Sequence, residues 1–223
     1  MTVNIFDILG PVMVGPSSSH TAGAVRIGYV ARRLLKDSPV YVDIGLYGSF
    51  AATGKGHGTD KALVAGLLGM APDDSRIPES LNLARRDGLK VFFSEIATLS
   101  DAHPNTAVLN IQGKKGRKLS VQASSIGGGR IMINKIDGIT VNFSGETSTL
   151  IVHNYDTPGH VAQVTNLLYK NNINIASMNL YRVSRGSYAV MVLETDQKIS
   201  SDIVNTLENI SGVIKVTYFD GEK

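Results

Sequence analysis

Thr149-Leu150-Ile151-Val152-His153-Asn154-Tyr155-Asp156-Thr157-Pro158-Gly159-His160-Val161 decides the architecture of the C-terminal part of the chain. A β-rich run, Thr149 to His153, gives way to a polar loop. Pro158 at a first helical position then opens a helix predicted to reach Lys170, where Asn171-Asn172 stops it. Working outward, Ile173 to Val183 reads as a second strand, Arg185-Gly186 as the turn back, and the alternating Tyr188 to Glu194 as a third. Ser200 or Ser201 caps a second helix running to Asn209, and Gly212 leads into a strand from Val213 to Phe219. Ahead of all this, Ser144-Gly145-Glu146 is short and polar, and the net charge turns there from basic to slightly acidic. A domain boundary is expected at that point, giving domains 1–145 and 147–223. The order βαββαβ in the second is the ferredoxin-like arrangement.

The first domain has a different grammar. Thr21 to Lys36 carries small or apolar residues at Ala24, Ile27, Gly28, Ala31, Leu34 and Leu35, a helical stripe that ends before Pro39. Val40, Val42, Ile44 and Leu46 alternate with Tyr41, Asp43, Gly45 and Tyr47, as in a strand. Gly54 to Gly58 reads as a loop and Thr59 to Met70 as a helix. Strands follow at Leu89 to Ile96, Ala107 to Gln112, Lys118 to Ala123, Ile131 to Lys135 and Ile139 to Phe143. Gly113-Lys114-Lys115-Gly116 and Asp137-Gly138 are hairpin turns, so the fold class is α+β, with a mixed, largely antiparallel sheet.

Composition limits the chemistry. Of 223 residues, 43% are apolar and 18% charged, the mix of a folded globular chain. A net charge of +3 is too small to point to nucleic acid or an anionic membrane. No apolar run approaches the roughly 18 residues of a membrane helix. Met1 to Pro16 lacks the basic start and cleavage site of a signal peptide, which makes the cytoplasm the expected address. There is no cysteine, which excludes disulfides, a catalytic thiol and an iron-sulfur cluster bound by this chain alone. Five His, the carboxylates and several Gly- and Ser-rich loops remain.

Four of those loops carry candidate function. Gly15-Pro16-Ser17-Ser18-Ser19-His20-Thr21 precedes the first helix, where hydroxyls and free N–H groups suit a carboxylate or phosphate; an elaborate N-cap is the plainer alternative. Gly48 to Lys61 has neither the spacing of a phosphate-binding P-loop nor that of a dinucleotide fingerprint, yet glycines on both sides of His57 allow close approach to its backbone. In Asp101-Ala102-His103-Pro104-Asn105-Thr106 the flanking Asp and Pro would orient an imidazole; an Asx-type turn is the plainer alternative. Ser124-Ser125-Ile126-Gly127-Gly128-Gly129 offers a backbone nest or a bulged strand end. Their number in one domain points to convergence on one site. Three His as zinc ligands would need a spacing this sequence lacks, so no metal site is expected in the chain.

The loop Asn154 to Val161, with the order and length of the elements around it, resembles an ACT domain, an amino-acid-sensing module whose first loop forms part of an effector site at a dimer interface. The four upstream loops together resemble the β subunit of bacterial iron-sulfur L-serine dehydratase, and the resemblance spans the whole chain. Arg130, after the triple glycine, departs from the apolar residue expected there. The resemblance implies a first domain related to the allosteric substrate-binding domain of some D-3-phosphoglycerate dehydrogenases. It also implies a separate cysteine-bearing α subunit that holds a 4Fe-4S cluster, and conversion of L-serine to pyruvate and ammonia.

On that resemblance His20, His57 and His103 are candidate catalytic residues. Ser17, Ser18, Ser19, Thr21, Asn105, Ser125, Gly127 and Gly128 are candidate substrate contacts. Asn154, Asp156, Pro158, Gly159 and His160 are candidate effector contacts, with K⁺ as an alternative occupant of that loop, and the ACT domain is expected to pair with a second copy. Which His is the base stays open. His20 is favoured, because a helix N-terminus disfavours imidazolium and attracts a carboxylate. The competing reading is a free-standing amino-acid-binding regulator without catalytic residues.

Overall fold

The computed structural model describes residues 12–182 and 184–221. The first eleven residues of the segment read for a signal peptide, and the Val183 end of one expected strand, lie outside them. The chain divides into two compact units, residues 1–138 and 139–223, so the division falls ahead of Ser144-Gly145-Glu146. Among the described residues no helix is long and apolar enough to cross a membrane.

In the first unit a turn of π-helix, Ser18–Gly23, runs directly into α1 (Ala24–Leu35). The predicted stripe from Ala24 to Leu35 is buried throughout, and Lys36 ends the helix in the left-handed conformation at φ 51°. The wider turn was not foreseen, since a period of 3.6 says nothing about a single turn wound to i→i+5. Strand β1 (Pro39–Gly48) is followed by α2 (Ser49–His57), α3 (Thr59–Leu67), a 3₁₀ turn (Ile77–Glu79) and α4 (Ser80–Arg86). Next come β2 (Lys90–Ile96), β3 (Asn105–Gly113), β4 (Lys118–Gly127) and β5 (Arg130–Ile136), and the strands lie in the order β2-β1-β3-β4-β5. The β1–β2 pair is parallel and the others antiparallel, as a mixed sheet requires. Val42, Ile44, Leu109 and Val121 turn one face of the sheet inward, with no exposed surface.

Gly54 to Gly58 corrects the sequence reading, because most of that segment is helix. Gly48, at φ 59°, turns the chain out of β1, and the Pro104 carbonyl accepts the backbone N–H of both Ser49 (2.8 Å) and Phe50 (3.5 Å). Phe50 is fully buried, and Thr53 Oγ1 donates to the Ser49 carbonyl at 2.9 Å. These tertiary anchors outweigh a cost of about 1 kcal/mol for each helical glycine. Gly58, at φ 70°, then bends α2 into α3. The helix expected from Thr59 to Met70 ends at Leu67, and the short helix α4 was not anticipated.

Helices α1 and α3 touch backbone to backbone. A Cβ on Gly28 would strike the Leu63 carbonyl, and one on Gly66 would strike that of Val25.

The second unit begins with β6 (Ile139–Phe143). There follow β7 (Ser148–Tyr155), α5 (His160–Lys170), β8 (Ile175–Arg182), β9 (Tyr188–Thr195), α6 (Ser201–Glu208) and β10 (Val213–Asp220). The sheet order is β10-β7-β9-β8 with every pairing antiparallel, and Leu150, Val152, Val164, Leu168, Met191 and Leu193 form its core. Ser200 caps α6, its hydroxyl accepting the Ile203 N–H as expected. Pro158 does not occupy the first turn of α5. Gly159, at φ 104°, is the N-cap and the helix starts at His160, because a residue with positive φ cannot lie inside a right-handed helix.

Candidate active site

The first unit gathers a cluster of imidazoles and hydroxyls around His20. The π turn carries His20, and α2 carries Ser49, Thr53 and His57. The His20 Nε2 atom lies 3.1 Å from Ser49 Oγ and 3.1 Å from Thr53 Oγ1. Its Nδ1 atom lies 3.5 Å from Ser17 Oγ, which also accepts the His20 backbone N–H at 3.1 Å. The rings of His20 and His57 are 5.0 Å apart, and Phe50 packs edge-on against His20 at 5.3 Å. Thr21 is buried and its hydroxyl reaches the His57 carbonyl at 3.5 Å. His57 is exposed, and among the described residues no protein group hydrogen-bonds its ring.

Burial is the main cause that pushes the His20 pKa below its ordinary value of 6.5, and the neighbouring His57 acts in the same direction, against an opposing contribution from the Ser49 backbone. A second positive charge 5.0 Å away would be costly in a partly desolvated site. His20 is therefore neutral at pH 7, for reasons other than the helix dipole invoked from sequence.

The structure joins the third loop to this cluster by backbone. Pro104 supplies the carbonyl that holds the start of α2, and a Cβ on Gly48 would approach that oxygen to 2.6 Å. His103 itself is exposed and makes no ring contact with His20 or His57. Its Nδ1 accepts the Asn105 N–H at 3.1 Å, so Asn105, rather than Asp101, orients the ring. Asn105 Oδ1 is buried without a partner. Thr106 continues the polar line, donating to the His103 carbonyl at 2.6 Å and meeting Ser124 Oγ at 2.7 Å.

The fourth loop is the end of β4 and a hairpin turn, with Gly127, Gly128 and Gly129 at φ 100°, 61° and 76°. A carbonyl of this turn, that of Gly129, accepts from Arg26 at 2.9 Å. Ser125 is fully buried with its hydroxyl unpaired, and it lies so close to Gly23 that a Cβ there would collide with it. Ser18 and Ser19 form the first residues of the π turn. Thus Ser17, His20, Thr21 and His57 meet directly, Ser125 adjoins the π turn through Gly23, and His103 and Asn105 are tied to the start of α2 through Pro104. Ser49 and Thr53 were missed. Their i, i+4 spacing places both on one helix face, a signal that becomes visible only once the segment is taken as helix.

In the second unit, Asn154 and Asp156 do not cap α5. Asn154 Nδ2 donates to the Tyr155 carbonyl at 2.6 Å, and Asp156 accepts the Gly186 N–H at 2.9 Å and Arg182 at 3.4 Å. Two buried polar atoms are left without partners, Asn154 Oδ1 and His160 Nδ1, in side chains only 3% and 7% exposed. The His160 ring packs on Gly212, where a Cβ would approach Nε2 to 2.7 Å. Tyr155 and Tyr188, both about half exposed, pair across β7 and β9 at 5.6 Å beside this loop.

Among the described residues no three His, Asp or Glu side chains are grouped to share a metal ion. A mixed-sheet unit with a histidine–hydroxyl cluster, followed by a four-stranded βαββαβ unit, defines a two-unit α+β chain. The comparisons with known proteins agree unit by unit: residues 4–91 match the family described as serine dehydratase beta chain, and residues 148–212 match the ACT domain. The chain is 42% identical over 214 residues to the "Probable L-serine dehydratase, beta chain" of Bacillus subtilis, covering 96% of each. It is 37% identical to the "L-serine dehydratase, beta chain" of Peptoniphilus asaccharolyticus, covering 96% of this chain and 97% of that one. A D-3-phosphoglycerate dehydrogenase of Bacillus subtilis is 26% identical over 202 residues, which span 88% of this chain and 37% of that enzyme. The chain belongs to the L-serine dehydratase beta-chain family.

Proposed function

We propose that this chain is the β subunit of an L-serine dehydratase and supplies proton-handling and binding groups to a site completed by a cysteine-bearing α subunit. The net reaction removes the Cα proton and the hydroxyl of L-serine as water, and the aminoacrylate formed then hydrolyses to pyruvate and ammonia. This chain has no cysteine and no three-residue metal cluster among its described residues, so its donors do not fit a 4Fe-4S cluster, and we place that cluster on the α subunit. Activation of the poor leaving group belongs to the partner.

The observation that carries this reading is the unequal pair of histidines. Both nitrogens of His20 face hydroxyls, whereas the His57 ring is exposed and, among the described residues, receives no hydrogen bond. A base must reach its proton at hydrogen-bond distance. We therefore assign the Cα proton to His57 rather than to His20, and give His20 the task of holding the pair with a single charge. Ser17, Ser18, Ser19 and Thr21 at the π turn, with Asn105 and Ser125, bind the substrate carboxylate and ammonium. Gly127 and Gly128 shape the turn beside them, and His103 completes the rim.

The same reading makes the second unit an effector module that pairs with a second copy. Asn154 Oδ1 seeks a donor or a cation, which fits the ammonium group of an amino acid or K⁺, while Asp156, Pro158 and Gly159 frame the loop and His160 closes its floor. Anaerobic mixing of the isolated, colourless chain with the cysteine-bearing subunit should produce serine deamination that neither shows alone. Turnover by the pure β chain would overturn the split site.

A further inference from the structure

We propose that Thr53 is a positioning residue that holds His20 as its neutral Nε2–H tautomer. Two of the three hydroxyl protons around the ring, those of Thr53 and Ser17, can be followed. Thr53 lies one turn after Ser49 on α2 and donates its own proton to the Ser49 carbonyl at 2.9 Å. Its Oγ1 then has only lone pairs to offer His20 Nε2 at 3.1 Å, so in a hydrogen bond between the two the nitrogen is the donor. On the other side, Ser17 Oγ accepts the His20 backbone N–H at 3.1 Å, which leaves its O–H free to point at Nδ1, 3.5 Å away. The protons therefore run one way, from Ser17 O–H to Nδ1, from Nε2–H to Thr53 Oγ1, and from Thr53 O–H to the Ser49 carbonyl. Ser49 Oγ, also 3.1 Å from Nε2 and 3.5 Å from Thr53 Oγ1, brackets the same proton.

A helical threonine bonding back to its i−4 carbonyl is ordinary; here that bond also fixes which way the next proton points. The consequence rests on the assignment of the Cα proton to His57. A ring held neutral with its Nε2 proton engaged leaves the neighbouring His57, 5.0 Å away, as the partner able to become imidazolium. His57 is also the titratable group whose charge bears on His20.

The test uses the isolated chain, with ¹⁵N-labelled histidine, and then the reconstituted complex. Long-range ¹H–¹⁵N spectra should show His20 protonated at Nε2 in the parent chain. Thr53→Val keeps the branched shape, removes the acceptor, and should shift His20 toward the Nδ1–H form, with Thr53→Ser restoring the parent pattern. In the complex, Thr53→Val should lower kcat by on the order of 10-fold to 100-fold with little change in KM, and Thr53→Ser should recover it. An unchanged His20 tautomer in Thr53→Val, in a chain whose circular dichroism is unaltered, overturns the positioning role whatever happens to turnover. A shifted tautomer with undiminished kcat upholds the positioning role and instead removes the His20–His57 pair from the chemistry.

Discussion

The His20 cluster and the Asn154–His160 loop are both polar sites at the start of a helix, yet they are built in opposite ways. The first gathers residues far apart in sequence, with Ser49 and Thr53 lying 29 and 33 positions from the ring they hold, and leaves neither His20 nitrogen idle. The second is one continuous stretch, and it buries an Asn oxygen and a His nitrogen without partners. An unpaired buried polar group costs about 1–3 kcal/mol. A site whose side chains satisfy each other has its geometry fixed before anything binds, whereas one with unmet hydrogen bonds gains stability when a ligand arrives. The difference separates a ring fixed in place from a loop with hydrogen-bonding capacity to spare; Ser125 and Asn105, unpaired in the first unit, are the residues there that share the second condition.

The largest effect that would sharpen this contrast is on turnover. His57→Ala in the reconstituted complex should lower kcat by about 10²-fold or more, while His103→Ala should cost far less. The reverse ranking would move the chemistry to the third loop. Next comes Gly28→Val, which forces a side chain into the Leu63 carbonyl and should destabilise the first unit by about 1–3 kcal/mol in urea unfolding, leaving the transition of the second unit in place.

For the Asn154–His160 loop, the proposed effector role predicts that Asn154→Leu should abolish calorimetrically measured binding of an amino acid or of K⁺ while changing stability by no more than about 1 kcal/mol. L-serine and KCl are titrated separately, so the two occupants are told apart. A large loss of stability without ligand would make Asn154 a structural residue and erase the contrast.

A smaller effect follows from the lowered pKa of His20. Well above pH 6.5 the ring is neutral in both folded and unfolded chains, and it contributes no pH dependence. As pH falls below 6.5 the unfolded chain takes up a proton that the folded one resists, so stability declines on acidification until the folded ring also titrates. His20→Gln should flatten that slope between pH 6.5 and about 5, above the range where carboxylates titrate. The smallest is Gly56→Ala, in open space on α2, which should stabilise the chain by roughly 0.5–1 kcal/mol.

Much of the fold was legible because burial and periodicity coincide. The stripe from Ala24 to Leu35 and the alternation from Val40 to Leu46 report one-sided burial, and the turns at Gly113 to Gly116 and Asp137-Gly138 announce hairpins. Helix α2 was not legible, since four glycines between Gly48 and Gly58 argue against helix, and what overrules them is a carbonyl at Pro104, remote in sequence. The same remoteness hid the site. The sequence marks His20 and His57 as candidates, but nothing local says that their rings meet or that Ser49 and Thr53 bracket one of them. The position of Pro158 failed for a different reason: the preference of proline for a first turn is statistical, and here the positive φ of Gly159 delays the helix to His160.

The backbone contact between α1 and α3 has a bearing on how this protein tolerates change. His20 lies in the turn that runs into α1, and His57 ends α2 one residue before α3 begins, so the crossing at Gly28 and Gly66 sets how closely the two helices leading away from the rings can pack. Side-chain contacts elsewhere stretch or shrink when a Leu becomes a Met or an Ile. A spacer made of two peptide planes in contact has no such adjustable length. Apolar substitutions elsewhere in the interior should therefore leave this helix spacing alone, whereas a side chain at either glycine should force the helices apart.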